Sequence, residues 1–274
     1  MHKKIIFLDV DGTLVDFHGD LPESAREAVL QAKANGHRLV VCTGRLKAQI
    51  YPQVLAMGFD GIIASAGAYV ECDGREIYRH VVDSEHLRRI TDYFEAADIA
   101  YCYQTADGVI VTESNQRRIN QHFFDAGMDE AKIKKVMIVD IRAVDHIGDR
   151  KDVEKGAYYD SGRTVGELQE ALGDYFKVEA SSYEKGDSDS GEFTCAGVNK
   201  ATGIARYVKW VGADMKDTIG VGDGPNDMEM LRTVAVSVAM GNASEDLKAL
   251  ADVVTDDVGE DGIKNGSKLY LGVK

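Results

Sequence analysis

The chain has 274 residues, 44% hydrophobic and 28% charged, the balance of a globular protein with room for a sizeable core and more than one domain. Lysine and arginine number 32 against 46 aspartates and glutamates, a formal net charge of −14. That excludes nucleic acid as a default partner, because phosphate backbones select basic surfaces, and no run approaches the ~20 apolar residues of a membrane span.

Ile5 to Leu8 is a short apolar run that ends at Asp9, the pattern of a strand buried on both faces. It is too short for a signal peptide, so a cytoplasmic protein is expected. Leu21 to Gly36 carries Ala25, Ala28, Val29 and Ala32 at helical spacing, with Pro22 near its start and Gly36 at its end. Arg38 to Cys42 predicts a second buried strand, Leu46 to Met57 a second helix and Ile62 to Ala64 a third strand. This alternation points to a doubly wound α/β sheet.

The rhythm changes after residue 68. Tyr69 to Tyr78 reads as a hairpin turning at Asp73-Gly74. A helix is expected over Ser84 to Ala97, and paired strands at Ala100 to Gln104 and Val109 to Thr112. A helix over Asn115 to Ala126, a strand over Lys135 to Asp140, a helix over Thr164 to Leu172 and a strand over Tyr175 to Ala180 follow. Asp140 to Gly162 is polar and shows no clear period, and Glu184 to Gly191 has linker composition. The α/β rhythm returns with a helix over Lys200 to Val211, a strand over Asp217 to Val221, a short helix over Pro225 to Arg232 and a strand over Val234 to Val238. The expected architecture is therefore a Rossmann-like, mostly parallel core of residues 1–82 and 189–274, interrupted by an α+β unit at 83–188.

In open parallel sheets, ligands bind outside the carboxyl ends of the strands. Three polar clusters stand at such ends: Asp9-Val10-Asp11, Thr43-Gly44-Arg45, and Gly222-Asp223-Gly224-Pro225-Asn226-Asp227. If the strands are neighbours, Asp9, Asp11, Asp223 and Asp227 share one crevice, where only a cation relieves their repulsion. Hard oxygen ligands of this kind favour Mg²⁺ together with a phosphate. Thr43 offers a hydroxyl and Gly44 an unhindered N–H, while Lys200 at a helix start supplies a point charge. With the charge screened, Asp9 can attack phosphorus, and Asp11 can protonate the leaving oxygen and then deprotonate water.

At these residues the chain resembles the haloacid dehalogenase-like phosphohydrolases. The match lies in the order Asp9-Val10-Asp11-Gly12-Thr13-Leu14, Thr43, Lys200 and Gly222 to Asp227. The insert resembles the type IIB cap of the Cof-type subfamily in position and size. The resemblance implies Asp9 as nucleophile and metal ligand, Asp11 as acid and base with its carbonyl on the metal, and Asp223 as the third ligand. It implies Asp227 as a support for the metal shell or for Lys200. Val10, Thr43, Gly44, Lys200 and Asn226 would hold the phosphoryl group. Two positions depart from the family pattern: Ala66-Gly67-Ala68 stands where Asn-Gly-Ala is frequent, and Ala201 where Gly is.

The reading is a Mg²⁺-dependent phosphatase acting on a small phosphorylated metabolite, sugar phosphates first, as a monomer or weak homodimer. The alternatives are a phosphomutase of the phosphomannomutase type and a non-enzymatic binding regulator. A mutase needs a basic cluster for a second phosphate, whereas residues 83–188 carry 14 basic and 22 acidic side chains. Arg45 is left open between substrate and solvent. His18 is expected at the surface and Trp210 in the core, Tyr101, Tyr103 and Arg118 are candidates for specificity, and Cys42, Cys72, Cys102 and Cys195 read as reduced core thiols.

Overall fold

Short apolar runs that end in Asp or Gly become parallel strands here. The computed structural model describes residues 3–130, 133, 141–145, 147–180 and 189–271. Its contacts divide the chain into two units. The first holds Met1–Arg45, Ile50–Arg79 and Asn199–Lys274, the second Leu46–Gln49 and His80–Val198.

In the first unit the chain forms β1 (Ile5–Leu8), α1 (Glu23–Ala34), β2 (Arg38–Cys42), α2 (Pro52–Leu55), β3 (Gly61–Ala64), β4 (Tyr69–Cys72) and β5 (Arg75–Arg79). The second unit contributes α3 (Ser84–Ala96), β6 (Ala100–Thr105), β7 (Gly108–Val111), α4 (Glu113–Asp125) and β8 (Ile141–Ala143). It continues with β9 (Val153–Tyr159), α5 (Val165–Leu172), β10 (Phe176–Ala180) and β11 (Gly191–Cys195). The chain then returns to the first unit with α6 (Lys200–Trp210), β12 (Thr218–Gly222), α7 (Met228–Thr233), β13 (Val236–Ala239), α8 (Glu245–Leu250), β14 (Val253–Val254) and α9 (Gly262–Leu271).

The first sheet has the order β14-β13-β12-β1-β2-β3-β4-β5. Its six strands from β14 to β3 are parallel, and β4 and β5 add an antiparallel edge. The Asp73-Gly74 turn between them has positive φ at both residues, as a tight primed hairpin turn requires. β1 lies between β12 and β2, and the chain runs outward from it in both directions. That makes its carboxyl end the topological switch point, where such sheets bind ligands. Ile5, Phe7, Val40, Cys42 and Ile63 on one sheet face pack against Ile204, Tyr207 and Val208 of α6 and Met230 and Leu231 of α7. Phe7 meets the Tyr207 ring edge-on at 5.9 Å.

The second unit is a six-stranded sheet of order β10-β11-β9-β6-β7-β8, in which β7 and β8 form the one parallel pair among the described strands. Here the structure departs from expectation. β9 is a central strand, missed because the buried Glu154 and Lys155 break its apolar pattern. Lys155 offsets its burial by donating to Glu192 on β11 at 2.7 Å. β11 itself pairs with β9 and β10, so this unit runs to Val198 rather than ending at 188. The strand expected over 135–140 and most of the linker at 184–191 lie outside the described residues.

Residues 46–57 do not form one helix. A short 3₁₀ turn at Lys47–Gln49 precedes α2, and Tyr51 between them is extended at ψ 133°. The cause is Pro52, whose ring disfavours helical geometry in the residue before it. Trp210 is 51% exposed beneath the Arg75 guanidinium, and Tyr207, one turn earlier, takes the core position. Tyr101 and Tyr103 are both buried in the second unit, and the Tyr103 hydroxyl bonds Thr91 at 2.6 Å. Arg118 pairs with Asp98 at 2.9 Å. His18 is exposed, and all four cysteines are buried and reduced.

The start of α6 carries a capping box, with Asn199 accepting from the Thr202 N–H and Thr202 accepting from the Asn199 N–H. Asn199→Ala leaves a helix donor unsatisfied and is expected to cost about 1 kcal/mol, whereas Asn199→Gly costs a few tenths. Thermal melts should show the Ala variant lower by about 2–4 °C and the Gly variant close to the parent.

Candidate active site

Asp9 is the first residue beyond β1, and its N–H donates to the Val221 carbonyl of β12 at 3.0 Å. That bond carries the parallel ladder one residue past the strand and aims a buried carboxylate, its side chain 8% exposed, across the switch point. Lys200, the first residue of α6, meets it there. Its Nζ, fully buried, donates to Asp9 Oδ1 at 2.7 Å and to Asp227 Oδ1 at 2.6 Å, with Asn226 Oδ1 at 3.4 Å. Burial works against the ammonium, but Asp227 and Asp9 outweigh it and hold the Lys200 pKa above its ordinary value.

Asp227 is satisfied on both oxygens, because its Oδ2 accepts the N–H groups of Asp223 and Gly224 at 3.0 Å each. Its geometry is that of a buried brace for Lys200 and for the loop after β12. Asp223 is held by Thr13, whose hydroxyl donates to Oδ1 at 2.8 Å, and by the Asn242 amide, which donates to Oδ2 at 3.2 Å. The same amide donates to the Gly12 carbonyl at 2.9 Å, and its own oxygen accepts the Val258 N–H. Gly12 is required: at φ +78°, a Cβ there would stand 2.1 Å from Asp223 Oδ2.

Asp9, Asp223 and Asp227 each bring an oxygen to a group whose members lie within 4.8 Å of one another, a set able to hold a metal ion. Its electrostatics call for one. Burial pushes the Asp9 carboxyl well up; Lys200 opposes this, while Asp227 and Asp223 add to it. Burial and then the charge of Asp227 push Asp223 up to about 7. One ammonium is too little positive charge for two buried carboxylates and a half-buried third, and a hard divalent cation fits what is missing.

Asp11, expected in the same cluster, turns its side chain elsewhere. Arg45 Nε donates to its Oδ2 at 2.5 Å and Nη2 to its Oδ1 at 2.8 Å. Thr43 is 1% exposed, at the end of β2, and its hydroxyl accepts the Arg45 N–H at 3.1 Å. A Cβ on Gly44 would stand 3.1 Å from the Asn226 amide, so the loops after β2 and β12 adjoin. Val10 is wholly buried, and its carbonyl accepts from Thr13, Leu14 and Val15, which fixes the turn that presents the two acids. Thr13, Asn242 and Tyr51 were not singled out from sequence. Asn242 follows β13, so a search of every parallel strand end would have found it.

Residues 6–266 match the haloacid dehalogenase-like hydrolase family. Among curated proteins, the phosphatase YwpJ of Bacillus subtilis is 25% identical, the alignment covering 98% of this chain and 100% of that one. The pyridoxal phosphate phosphatase YbhA of Escherichia coli is 24% identical over 96% of this chain and 97% of its own. Among solved structures, the HAD subclass IIB sugar phosphatase BT4131 superposes with a TM-score of 0.80 at 28% identity, covering 99% of this chain and 100% of that one.

A carboxyl raised from 3.8 to about 7 contributes stability at low pH that is lost as pH rises through 7. With EDTA present, the protein is therefore expected to lose melting temperature between pH 5 and pH 8. Asp223→Asn should flatten that decline and melt higher than the parent at pH 8, by roughly 2–4 °C per kcal/mol of repulsion removed. A thermal-shift series across pH checks it.

Proposed function

The chain belongs to the haloacid dehalogenase-like hydrolases and is a phosphatase, and from that premise we propose that it hydrolyses phosphate monoesters of small metabolites, sugar phosphates foremost, with Mg²⁺ and through a phosphorylated Asp9. The observation that carries this reading is the buried Lys200 ammonium joining Asp9 to Asp227, with Asp223 completing the acidic group.

Asp9 and Asp223 would hold the metal, and Asp227, its oxygens already engaged, would fix the ammonium and the loop. When bound, Mg²⁺ supplies the positive charge that lets a carboxylate approach a phosphate dianion. Lys200 holds Oδ1 of Asp9 and so fixes the plane of the nucleophile. Thr43, Gly44 and Asn226, on adjoining loops, offer a hydroxyl, an N–H and an amide to the phosphoryl oxygens. Asp9 attacks phosphorus as the ester P–O bond breaks, and the departing oxygen takes a proton from Asp11. Asp11 then removes a proton from water, which attacks the aspartyl-phosphate and releases inorganic phosphate and free Asp9.

Sugar phosphates come first because a type IIB sugar phosphatase is alike over nearly the whole chain. The pyridoxal phosphate phosphatase among the relatives keeps other small phosphorylated metabolites in the panel. The excess of acidic over basic residues in 83–188 supports hydrolysis over a mutase reaction.

Phosphate release from a panel of phosphorylated metabolites tests the reading. Turnover is expected with Mg²⁺, on glucose 6-phosphate or a related sugar phosphate and without a bisphosphate activator, and none with EDTA. Asp9→Asn should lower kcat/KM by roughly 10⁴-fold or more. Full activity in EDTA, or a variant as fast as the parent, would overturn it.

A further inference from the structure

Arg45 stands apart from the carboxylate cluster and is spent on Asp11. Its side chain is 8% exposed, and its fork meets both Asp11 oxygens at 2.5 and 2.8 Å. Nη2 also donates to the Tyr51 hydroxyl at 2.7 Å, and the guanidinium carbon lies 4.4 Å above the Tyr51 ring. The Tyr51 hydroxyl is in turn 3.4 Å from Asp11 Oδ1.

Tyr51 is itself wedged. Pro52 holds it extended, out of the helix that follows. The turn of residues 16–20 closes on its ring, where Gly19 at φ +79° leaves no room for a Cβ, which would stand 2.8 Å away. The Arg45 backbone is anchored as firmly: its N–H donates to the Thr43 hydroxyl, and its carbonyl accepts the Ser65 N–H at 2.7 Å. The Thr43 loop and the Asp11 carboxylate are thus parts of one braced assembly.

We propose that Arg45, braced by Tyr51, is the positioning residue that aims Asp11 at the leaving oxygen; the inference rests on the phosphatase reading in which Asp11 serves as acid and base. A carboxylate has about four lone-pair sites. Two accept from the Arg45 fork and a third faces the Tyr51 hydroxyl, so the carboxylate is fixed in plane with one site open among the described residues. A planar bidentate fork sets that direction, and a lysine ammonium does not. Three of the five Arg45 N–H donors are engaged in this way, two on Asp11 and one on Tyr51.

The test compares kcat/KM for two aryl esters, 4-nitrophenyl phosphate, whose anion leaves unaided, and phenyl phosphate, whose departure gains from a proton. Because kcat/KM reports only steps through leaving-group departure, the later attack of water does not enter. Arg45→Met is expected to lower phenyl phosphate turnover by about 100-fold and 4-nitrophenyl phosphate turnover by no more than about 5-fold. Arg45→Lys should resemble Arg45→Met. Tyr51→Phe, which removes one hydroxyl and spares the fold, should show a smaller loss with the same preference. Equal losses on both esters for Arg45→Met and Tyr51→Phe, or none, overturn the proposal. Asp11→Asn separates it from the reading beneath it. If Asp11→Asn discriminates between the esters and the Arg45 variants do not, positioning alone fails; if Asp11→Asn does not discriminate, the acid role of Asp11 fails and the inference with it.

Discussion

A fully buried ammonium between two buried carboxylates is the interaction around which the first unit is arranged. Lys200 takes its place from α6, Asp9 from the end of β1 and Asp227 from the loop after β12. Such a triad adds little net stability, since removing several charges from water costs several kcal/mol per ion and their attraction roughly offsets it. Apolar side chains of similar volume would serve the fold as well. The triad instead fixes the plane of Asp9 and leaves the site one cation short, with Asp223 close by and its carboxyl pushed up to about 7. Stability has been given up where a ligand is to supply what is missing.

The sheet makes that convergence unavoidable. β1 has β2 on one side and β12 on the other, so the loops after all three open at one edge, although Asp9 and Asp223 are far apart in the chain. The loops are pinned to one another by polar contacts: Thr13 to Asp223, Asn242 to Gly12 and Asp223, Arg45 to both oxygens of Asp11. Glycine stands where a carboxylate of the next loop comes too close for a side chain, as Gly12 does against Asp223. Packing behind the site, with Phe7 and Ile63 against α6, holds the first turn of that helix and therefore Lys200.

What could be read from sequence followed from how each segment solves its own burial. A continuous apolar run that stops at Asp-x-Asp or Gly-Asp-Gly announces a buried strand and its polar end, so β1, β12 and the carboxylate clusters were legible. Lys200 was legible only through its place in the order of motifs. β9 was hidden because Glu154 and Lys155 occupy a central strand, and Lys155 is paired with Glu192 on β11, a strand that begins at the last residue of the expected linker. The helix expected at 46–57 rested on apolar spacing and gave too little weight to Pro52. Trp210 was placed in the core by type, whereas its helix turns Tyr207 inward and leaves the indole to Arg75. Thr13 and Asn242 act across the sheet, on partners 210 and 19 residues away, and no local pattern reports such contacts.

Asp9 and Asp11 illustrate how one strand end gives two like residues different chemistry. Only Val10 separates them, yet their carboxylates do not compete for one site, because each has its own cation. Asp9 lies at the switch point, paired with an ammonium that a second carboxylate holds in place and close to Asp223, so any cation entering the group meets it. Asp11 lies within the turn fixed by the Val10 carbonyl and is taken by a guanidinium whose backbone belongs to the loop after β2. A lysine in place of Arg45 would leave the second acid charged but free to swing, and an arginine in place of Lys200 would be too wide for the buried gap between Asp9 and Asp227. In the proposed reaction one carboxylate must stay ionised as a nucleophile while the other gains and loses a proton. The division of cations between them lets a motif of three residues set its two carboxylates in separate places, each held in its own plane.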